Sequence, residues 1–390
     1  MYQIRTYNKI SDKGMSRFPT EQYSVSEEIE QPDAYVLRSQ KLHDIPLPES
    51  VVAVGRAGAG TNNVPVADYT EKGVVVFNAP GANANAVKEL VVASLLLSSR
   101  GIVQGRDYVN TLGHMKDSDE MAKLLEKEKK NFAGNELVGQ TLGIIGLGAI
   151  GSLVADIALA LGMDVVGYDP GLSIDAAWKL SSLVRPMETM EDLLAEVDFL
   201  TLHVPAIPAT KHLINEKTLK KMKPEATILN FARATIVDPE AIVNALDNNK
   251  LSQYICDFPE PCLIGHQKVI SVPHIGASTA EAEENCAIMV VDQLRDYLEN
   301  GNISNSVNFP KTKMPRGLGK CRITFANKNV AGILGEILSI FADNKVNVVD
   351  MVNKSRDDIA YNILDLETAP SDEVLNLITN VEHIYNLRKI

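Results

Sequence analysis

The sequence is poor in the features that mark disulfide-stapled, metal-binding or membrane proteins. Its 390 residues include only four cysteines, at positions 256, 262, 286 and 321, and no two of them form a C-x-x-C pair. Such isolated thiols predict neither a disulfide framework nor a metal site. The longest apolar run, around residues 90–97, is far shorter than the ~20 residues that span a bilayer. No basic segment followed by an apolar one opens the chain, so we expect a cytoplasmic protein without a membrane partner.

An excess of positive charge is also missing. The chain has 38 Lys and Arg against 50 Asp and Glu, and its formal net charge is −12. A nucleic-acid partner would need a basic face for its phosphates, so we expect none. The hydrophobic content of 45% is ample for packed cores, and the length favours two or three domains.

The strongest positive signal lies in residues 141–170. A short apolar strand, 142–145, runs into the sequence Gly-Leu-Gly-Ala-Ile-Gly at 146–151. Helical periodicity follows over 152–161, and a second apolar strand, 164–168, ends on Asp169. The strand, the glycines, the helix and the acid at this spacing together indicate a dinucleotide-binding unit, whereas glycines alone would also fit an ordinary turn.

Each residue of this fingerprint has a physical task. Gly146 permits the tight turn, and Gly148 has no Cβ, so the backbone can approach a pyrophosphate. Gly151 allows close packing of helix on strand, and the helix N-terminus faces the phosphates. Asp169 is placed to accept the ribose hydroxyls of NAD and to repel the 2′-phosphate of NADP. The predicted cofactor is NAD.

Strand-like and helical segments alternate up to about residue 300, which predicts parallel sheets flanked by helices. The predicted strands are 35–38, 51–54, 74–78, 199–204, 227–230, 254–257 and 269–272, and the predicted helices are 86–110 and 280–300. Residues 302–319, with two prolines and two glycines, are predicted to be a linker. Beyond it, strands at 322–326, 346–352, 359–367 and 383–388 and helices at 332–344 and 372–379 form a small βαββαβ domain. This last domain has no cluster of catalytic residue types, which favours regulation or assembly.

Three strand ends after the fingerprint carry residues suited to chemistry. In a doubly wound sheet the ligand lies at the carboxyl ends of the strands. Arg233 at one end could grip a carboxylate with two hydrogen bonds. Asp257 and Glu260 follow the next strand, and His274 follows another. A histidine beside a carboxylate is the usual construction of a proton shuttle near neutral pH. Taken singly, each residue could equally be structural.

The whole chain resembles the D-2-hydroxyacid dehydrogenase family. The segments that carry the resemblance are 55–64, 77–83, 143–151, His203-Val204-Pro205, 230–233, 273–279 and 305–310. The resemblance is to members that oxidise D-3-phosphoglycerate to 3-phosphohydroxypyruvate with NAD, the first step of serine biosynthesis by the phosphorylated route. Glycerate, lactate or 2-hydroxyglutarate is the alternative substrate, and an NAD-sensing corepressor is the alternative from another class.

The resemblance implies a role for each site residue. Arg233 would bind the substrate carboxylate, His274 would be the general base, and Glu260 would hydrogen-bond His274. The cofactor contacts would be Gly146, Gly148, Ala149, Ile150, Gly151, Asp169, Val204, Pro205, Phe231, Ala232, Asp257, Gly276 and Ala277. The amides of Ala57 and Gly58 would help to hold the carboxylate, and Arg56 or Arg38 would hold the phosphate. The spacing from Asp257 to Glu260 is two residues shorter than the family pattern, which puts Glu260 in doubt.

The last domain resembles an ACT domain, a module that binds amino acids between subunits. The resemblance implies L-serine as an effector at Asn327, Asn329 and Asn347, whereas a domain that only dimerises is the alternative. The predicted fold is α/β, with two Rossmann-like doubly wound domains and a ferredoxin-like βαββαβ domain. The predicted boundaries are 1–95 with 280–303 for the substrate-binding domain, 96–279 for the NAD domain, 304–319 for the linker and 320–390 for the ACT domain. A homodimer or homotetramer is expected, with the active site in the cleft between the first two domains.

Overall fold

A computed structural model describes residues 1–317 and 319–390, with the backbone only for residue 175; residue 318 of the predicted linker lies outside the described residues. The chain divides into two compact units. The first contains residues 1–83 and 280–390, and the second contains residues 84–279. The predicted boundary after residue 95 falls inside a helix of the second unit.

The elements are numbered in chain order. The strands are β1 (Tyr2–Tyr7), β2 (Tyr23–Ser26), β3 (Ala34–Leu37), β4 (Ala53–Arg56), β5 (Val75–Phe77), β6 (Thr141–Ile145), β7 (Asp164–Tyr168), β8 (Arg185–Pro186), β9 (Phe199–Leu202), β10 (Ala226–Asn230), β11 (Leu251–Cys256), β12 (Val269–Ser271), β13 (Cys321–Lys328), β14 (Val348–Arg356), β15 (Ile359–Leu366) and β16 (Ile384–Lys389). The α-helices are α1 (Asp12–Met15), α2 (Val66–Glu71), α3 (Ala84–Ser99), α4 (Ile102–Thr111), α5 (Ser118–Glu128), α6 (Ala149–Ala160), α7 (Ile174–Ala177), α8 (Met190–Glu196), α9 (Glu216–Leu219), α10 (Pro239–Asp247), α11 (Ala280–Asn300), α12 (Ile333–Asp343) and α13 (Asp372–Thr379).

The first unit is built on a five-stranded parallel sheet in the order β2-β1-β3-β4-β5. Its central strands are apolar and buried on both faces, as expected when helices cover a parallel sheet. Helix α11 packs along this sheet so closely that a Cβ on Gly55 of β4 would lie 2.7 Å from Leu294. A larger residue at position 55 would therefore prevent α11 from packing this closely on the sheet.

The C-terminal part of the first unit is a four-stranded antiparallel sheet in the order β14-β15-β13-β16. Alternate residues of β15 point to opposite faces, and all eight are buried. Leu364 and Leu366 pack against α12 and α13, whereas Tyr361 and Ile363 join the core that contains α11. Both faces of β15 are therefore covered within one chain.

Three arginines, Arg316, Arg322 and Arg388, close the C-terminal end of α11, and we call them the arginine clamp. The last carbonyls of a helix have no partner within it. The clamp supplies donors to Tyr297, Leu298, Glu299 and Asn300 at 3.2, 2.9, 2.7 and 3.0 Å. Guanidinium groups also complement the negative end of the helix dipole. The clamp thus fastens the C-terminal sheet to the helix on which the first sheet packs.

The second unit contains a seven-stranded parallel sheet in the order β12-β11-β10-β9-β6-β7-β8. The chain moves outward from β6 through β7 to β8, then returns to β9 beside β6 and moves outward in the other direction. This reversal is the topological switch point of a doubly wound sheet, where ligands bind. The predicted α/β fold, with two parallel sheets and a βαββαβ unit, is confirmed.

Every predicted strand is present in the structure, but β8 and several short helices were not predicted. Strands β1 and β2 were not predicted, because only Ile4 and Tyr23 of their residues are buried and the apolar pattern is weak. The predicted helix 86–110 is two helices, α3 and α4. The second begins at Ile102, and Gly101 takes the N-cap position before it.

Candidate active site

Glycines shape the turn between β6 and α6. Gly146 has a φ of +93°, and a Cβ there would lie 2.6 Å from the carbonyl oxygen of His203. A Cβ on Gly151 would collide with the carbonyl oxygen of Gly146. Around Gly148, in contrast, no atom of the described residues lies within 4 Å of the position a Cβ would take. The turn therefore has the tight backbone, the close helix packing and the open space that a pyrophosphate requires.

Asp169 lies directly after β7, beside this turn. One carboxylate oxygen accepts the amide of Leu147 at 2.8 Å, and the other accepts the amide of Gly171 at 2.9 Å. The carboxylate is half-exposed. Asp169 therefore holds the glycine turn in place. Part of its carboxylate stays exposed and could accept a hydrogen bond from a ribose hydroxyl.

The other predicted cofactor contacts occupy the same end of the sheet. Ala149 and Ile150 form the first turn of α6, Val204 and Pro205 follow β9, and Phe231 and Ala232 are buried after β10. Gly276 is buried, and Ala277 packs against the core beside α6. Their contact with NAD stays a prediction.

Arg233 follows β10 and is exposed. Its backbone is held by Asn230, which is fully buried. The amide of Asn230 accepts the N–H of Ala232 at 3.2 Å and donates to the carbonyl of Arg233 at 3.0 Å and to the hydroxyl of Tyr254 at 3.3 Å. The guanidinium donates to the carbonyl of Ala232 at 2.6 Å. Asn230 is a positioning residue that the sequence argument did not identify.

His274 follows β12 and is held in a left-handed backbone conformation, with a φ of +53°. Its N–H donates to the carbonyl of Asp257 at 3.0 Å. The carboxylate of Asp257 accepts the amides of Ile275 and Gly276 at 2.6 and 2.8 Å. Asp257, only 2% exposed, thus fixes the loop that presents His274. Both of its oxygens are engaged in the chain, so the observed task of Asp257 is structural, and the predicted nicotinamide contact stays a prediction.

Arg233 and His274, two of the predicted catalytic residues, both lie beside the aromatic ring of Phe258. The His274 ring lies 4.7 Å from the Phe258 ring, centroid to centroid. The guanidinium carbon of Arg233 lies 5.9 Å from the same centroid. A guanidinium and an imidazole, both exposed, therefore face the same region at the carboxyl end of the sheet.

Glu260 does not reach His274 in this structure, since no hydrogen bond or ion pair joins them among the described residues. Glu260 takes the N-cap position of the short turn at 261–263, where its carbonyl accepts the amide of Leu263 at 2.9 Å. The short connection from Asp257 leads the chain directly into this turn. The predicted hydrogen bond is therefore absent here, and its formation in a ligand-bound state stays a prediction.

The predicted substrate residues of the first unit lie at the ends of β3 and β4. The Arg56 side chain covers Gly58, so a Cβ on Gly58 would collide with it. Arg38 forms an ion pair with Glu283 of α11 at 2.6 Å. The amides of Ala57 and Gly58 donate to the carbonyls of Leu37 and Arg56 at 2.7 and 2.8 Å. In this structure these two amides have acceptors within the chain, and their predicted contact with the substrate carboxylate stays a prediction.

The three predicted effector residues are separated in the C-terminal sheet. Asn327 is buried and accepts a hydrogen bond from Asn362 at 2.8 Å. Asn329 donates to the carbonyl of Asp357 at 3.2 Å, and Asn347 donates to Glu367 at 3.1 Å. Asn329 and Asn347 lie beyond opposite ends of β14. The chain by itself does not bring these residues into one site.

His203 is a second residue whose environment the sequence argument missed. Burial lowers its pKa to about 3. Its Nε2 lies 2.9 Å from the hydroxyl of Thr201, whereas its Nδ1 is buried without a hydrogen-bond partner among the described residues. This imidazole, in the residue whose backbone carbonyl lies beside Gly146, is therefore neutral at physiological pH.

Neither a metal-binding cluster nor a membrane-spanning helix is found in the described part of the chain. Residues 1–317 and 319–390 contain no group of three or more His, Cys, Asp or Glu side chains that could hold a metal ion. Within the same residues, no helix combines the length and apolarity needed to cross a membrane.

Comparison with known proteins shows which family the chain is similar to. Residues 92–276 match the family model described as "D-isomer specific 2-hydroxyacid dehydrogenase, NAD binding domain". The D-3-phosphoglycerate dehydrogenase of Haemophilus influenzae is 34% identical over 343 residues, which cover 85% of this chain and 79% of that protein. The D-3-phosphoglycerate dehydrogenase of Escherichia coli K12 is 34% identical over 331 residues, covering 82% and 76%.

A solved structure shows the same fold. The NAD+-bound 3-phosphoglycerate dehydrogenase of Entamoeba histolytica superimposes with a TM-score of 0.61 and 24% identity. The match covers 79% of this chain and 98% of that one. The glycine turn, Asp169 and the strand-end residues thus lie in a fold that is known with NAD bound.

Proposed function

We propose, from the premise that this chain belongs to the D-isomer specific 2-hydroxyacid dehydrogenase family, that it oxidises D-3-phosphoglycerate with NAD to 3-phosphohydroxypyruvate. This is the first step of serine synthesis by the phosphorylated route. The observation that carries the proposal is the convergence of Arg233 and His274 on Phe258, in the unit whose glycine turn fits a dinucleotide. The two relatives named above support phosphoglycerate as the substrate.

The chemistry divides between cofactor and protein. NAD supplies the hydride acceptor when it is bound, and the glycine turn and Asp169 are the residues that fit its pyrophosphate and ribose. Arg233 holds the substrate carboxylate through two donors and draws electron density from the C2 oxygen. His274 accepts the proton of the C2 hydroxyl during oxidation and returns it in the reverse reaction. Glu260 stabilises the imidazolium after a small movement of its loop.

The phosphate of the substrate needs a cation, and the first unit offers two. Arg56 lies over the predicted substrate loop, and Arg38 is held by Glu283. We assign the phosphate to this pair. Glycerate and lactate carry no second anionic group for this pair, and 2-hydroxyglutarate offers a carboxylate there instead of a phosphate.

The C-terminal domain serves as an ACT-type regulatory domain for L-serine, in a homodimer or homotetramer in the cytoplasm. Strand β14 has nine residues, so Asn329 and Asn347 are separated by roughly 30 Å at ~3.3 Å per residue. One serine cannot touch both in the same copy. Antiparallel pairing of β14 with its counterpart in a second copy would bring Asn347 of one subunit toward Asn329 of the other. This strand is an exposed edge, which such pairing would cover.

The direct test is NADH formation from D-3-phosphoglycerate, compared with D-glycerate, D-lactate and D-2-hydroxyglutarate. We expect the highest kcat/KM with the phosphorylated substrate, and a lower rate when L-serine is added. The variant His274→Ala should lose about 10²- to 10⁴-fold in turnover while it binds NAD normally. Equal kcat/KM for glycerate would refute the substrate, and absence of turnover with every acid would favour the corepressor alternative. No response to serine would leave the C-terminal domain as a dimerisation domain.

A further inference from the structure

The second unit contains a basic pocket that the proposed reaction does not use. Its volume is about 280 Å³. The charged and titratable residues of its wall are Lys211, His212, Lys217, Lys221 and Glu191. The remaining lining is neutral and includes the side chains of Asn215 and Thr218. In a chain with a net charge of −12, this is a local concentration of positive charge.

These lysines have no partners of opposite charge, in contrast to their neighbours. Lys220 pairs with Glu216 at 2.7 Å, and Lys223 pairs with Asp198 at 3.0 Å. For Lys211, Lys217 and Lys221, no ion pair is present among residues 1–317 and 319–390. Unpaired like charges that converge on one cavity repel each other, and an anion relieves this repulsion. The arrangement therefore fits a ligand with more than one negative charge.

Hydrogen bonds hold the backbone at one wall of the pocket. His212 has a left-handed backbone with a φ of +48°. Its N–H donates to the carbonyl of Thr235 at 2.9 Å, and its carbonyl accepts the amide of Asn215 at 2.8 Å. Asn215 also accepts the amide of Lys217 at 3.0 Å, so the backbone of the pocket is fixed on both sides of His212. A preformed wall lowers the entropic cost of binding a small ligand.

The same hydrogen bonds connect the pocket to the segment that carries Arg233. Thr235 lies two residues after Arg233. Ile214 forms a parallel bridge with Val237, and the N–H of Ile214 donates to the carbonyl of Ile236 at 3.1 Å. A shift of His212 on ligand binding would therefore reach the backbone from which the Arg233 side chain projects.

We propose that this pocket is a second ligand site, for a small phosphate-bearing anion, and that its occupancy changes the affinity of the Arg233 site for a carboxylate. The volume is at or below the lower limit of about 300 Å³ for drug-sized ligands, which favours inorganic phosphates or a compact organic phosphate. Binding at the pocket does not depend on the proposed substrate. The effect on affinity rests on the proposed function of Arg233.

The binding test uses calorimetric titration of the enzyme, saturated with NAD, with inorganic pyrophosphate or with AMP at constant ionic strength. Saturating NAD occupies the glycine turn, which could otherwise bind the same probes. The test variant combines Lys211→Ala, Lys217→Ala and Lys221→Ala, and the matched control is Lys220→Ala, whose lysine is already paired. We expect saturable binding in the wild type and the control, weakened about tenfold or more in the triple variant, which corresponds to at least about 1.4 kcal/mol. A stronger response to AMP would identify an organic phosphate as the ligand, and a stronger response to pyrophosphate an inorganic one.

The coupling test measures the KM for the hydroxy acid substrate with and without pyrophosphate. A change in KM in the wild type and in Lys220→Ala, absent from the triple variant, is the expected result. Equal binding by the triple variant, or a heat that chloride reproduces at the same ionic strength, would overturn the site. A change in KM that persists in the triple variant would place the anion at the substrate's own phosphate residues and would overturn the coupling.

Discussion

Arg322 and Arg233 show how differently one side chain is used in the two units. Arg322 is completely buried, and all five of its N–H donors are used. Two go to Asp365 at 2.7 and 2.8 Å, and three go to the carbonyls of Asn300, Met314 and Pro315. Arg233 is exposed, and the one hydrogen bond of its guanidinium among the described residues goes to the carbonyl of its neighbour Ala232.

The difference follows from the cost of burying a charge. A guanidinium taken out of water is tolerated only when each donor finds an acceptor and a counter-charge lies close. Burial alone would raise the pKa of Asp365, but the hydrogen bonds and charge of Arg322 outweigh this effect and lower it. An arginine that must grip a ligand needs the opposite arrangement, with a fixed backbone and free donors. Asn230 provides this for Arg233 by binding its backbone only.

The largest effect should come from breaking the buried pair. Arg322→Ala leaves the Asp365 carboxylate buried without its counter-charge, so we expect a loss of about 3–5 kcal/mol in the free energy of unfolding. Urea denaturation measures this loss. The double variant Arg322→Met with Asp365→Leu removes both charges and should recover most of the stability. If the single variant unfolds at the wild-type urea concentration, the clamp does not stabilise the unit.

For Arg233→Lys we expect the opposite, a loss of activity with little loss of stability. A lysine cannot form two parallel bonds with a carboxylate, so kcat/KM should fall about 10²- to 10³-fold. Its stability should stay within about 0.5 kcal/mol of wild type, because the side chain is exposed. Steady-state kinetics and urea denaturation on the same preparation check both parts. Arg106→Lys, at an exposed arginine paired with Asp107, is the matched control for the substitution itself.

A smaller loss should follow when the backbone support of Arg233 is removed. Asn230→Ala leaves the N–H of the buried Ala232 without its acceptor, at about 1–3 kcal/mol of stability. We expect a 10- to 100-fold lower kcat/KM, at ~1.4 kcal/mol per tenfold, with unchanged affinity for NAD. Tyr254→Phe removes only the third partner of Asn230 and should stay near wild type. A purely structural role would instead lower the affinity for NAD and the affinity for the substrate equally.

The sequence predicted only part of the difference between Arg322 and Arg233. Regular segments with strong periodicity, such as 164–168, 280–300 and 372–379, were predicted with their observed bounds. The strand-end positions of Arg233 and His274 followed from the same local pattern. The partners of Arg322 did not, because Asp365 lies 43 positions away and meets it only through the pairing of β13 with β15. For the same reason the sequence did not show that Asn327 is already hydrogen-bonded to Asn362. It therefore did not distinguish this structural asparagine from one that could contact an effector.

The smallest effect concerns His203, whose buried, neutral imidazole lies beside the hydroxyl of Thr201. Its pKa is about 3 in the folded chain against an ordinary value of 6.5, so the unfolded chain binds more protons between these limits. Stability from this group is therefore complete above pH 6.5 and is lost as the pH falls, by about 1.4 kcal/mol per pH unit. Urea denaturation at pH 7.5 and about one unit below 6.5 should show a drop that His203→Gln lacks and that the exposed-site control His114→Gln keeps. Parallel stability profiles for His203→Gln and wild type would mean that folding does not lower the pKa of this imidazole.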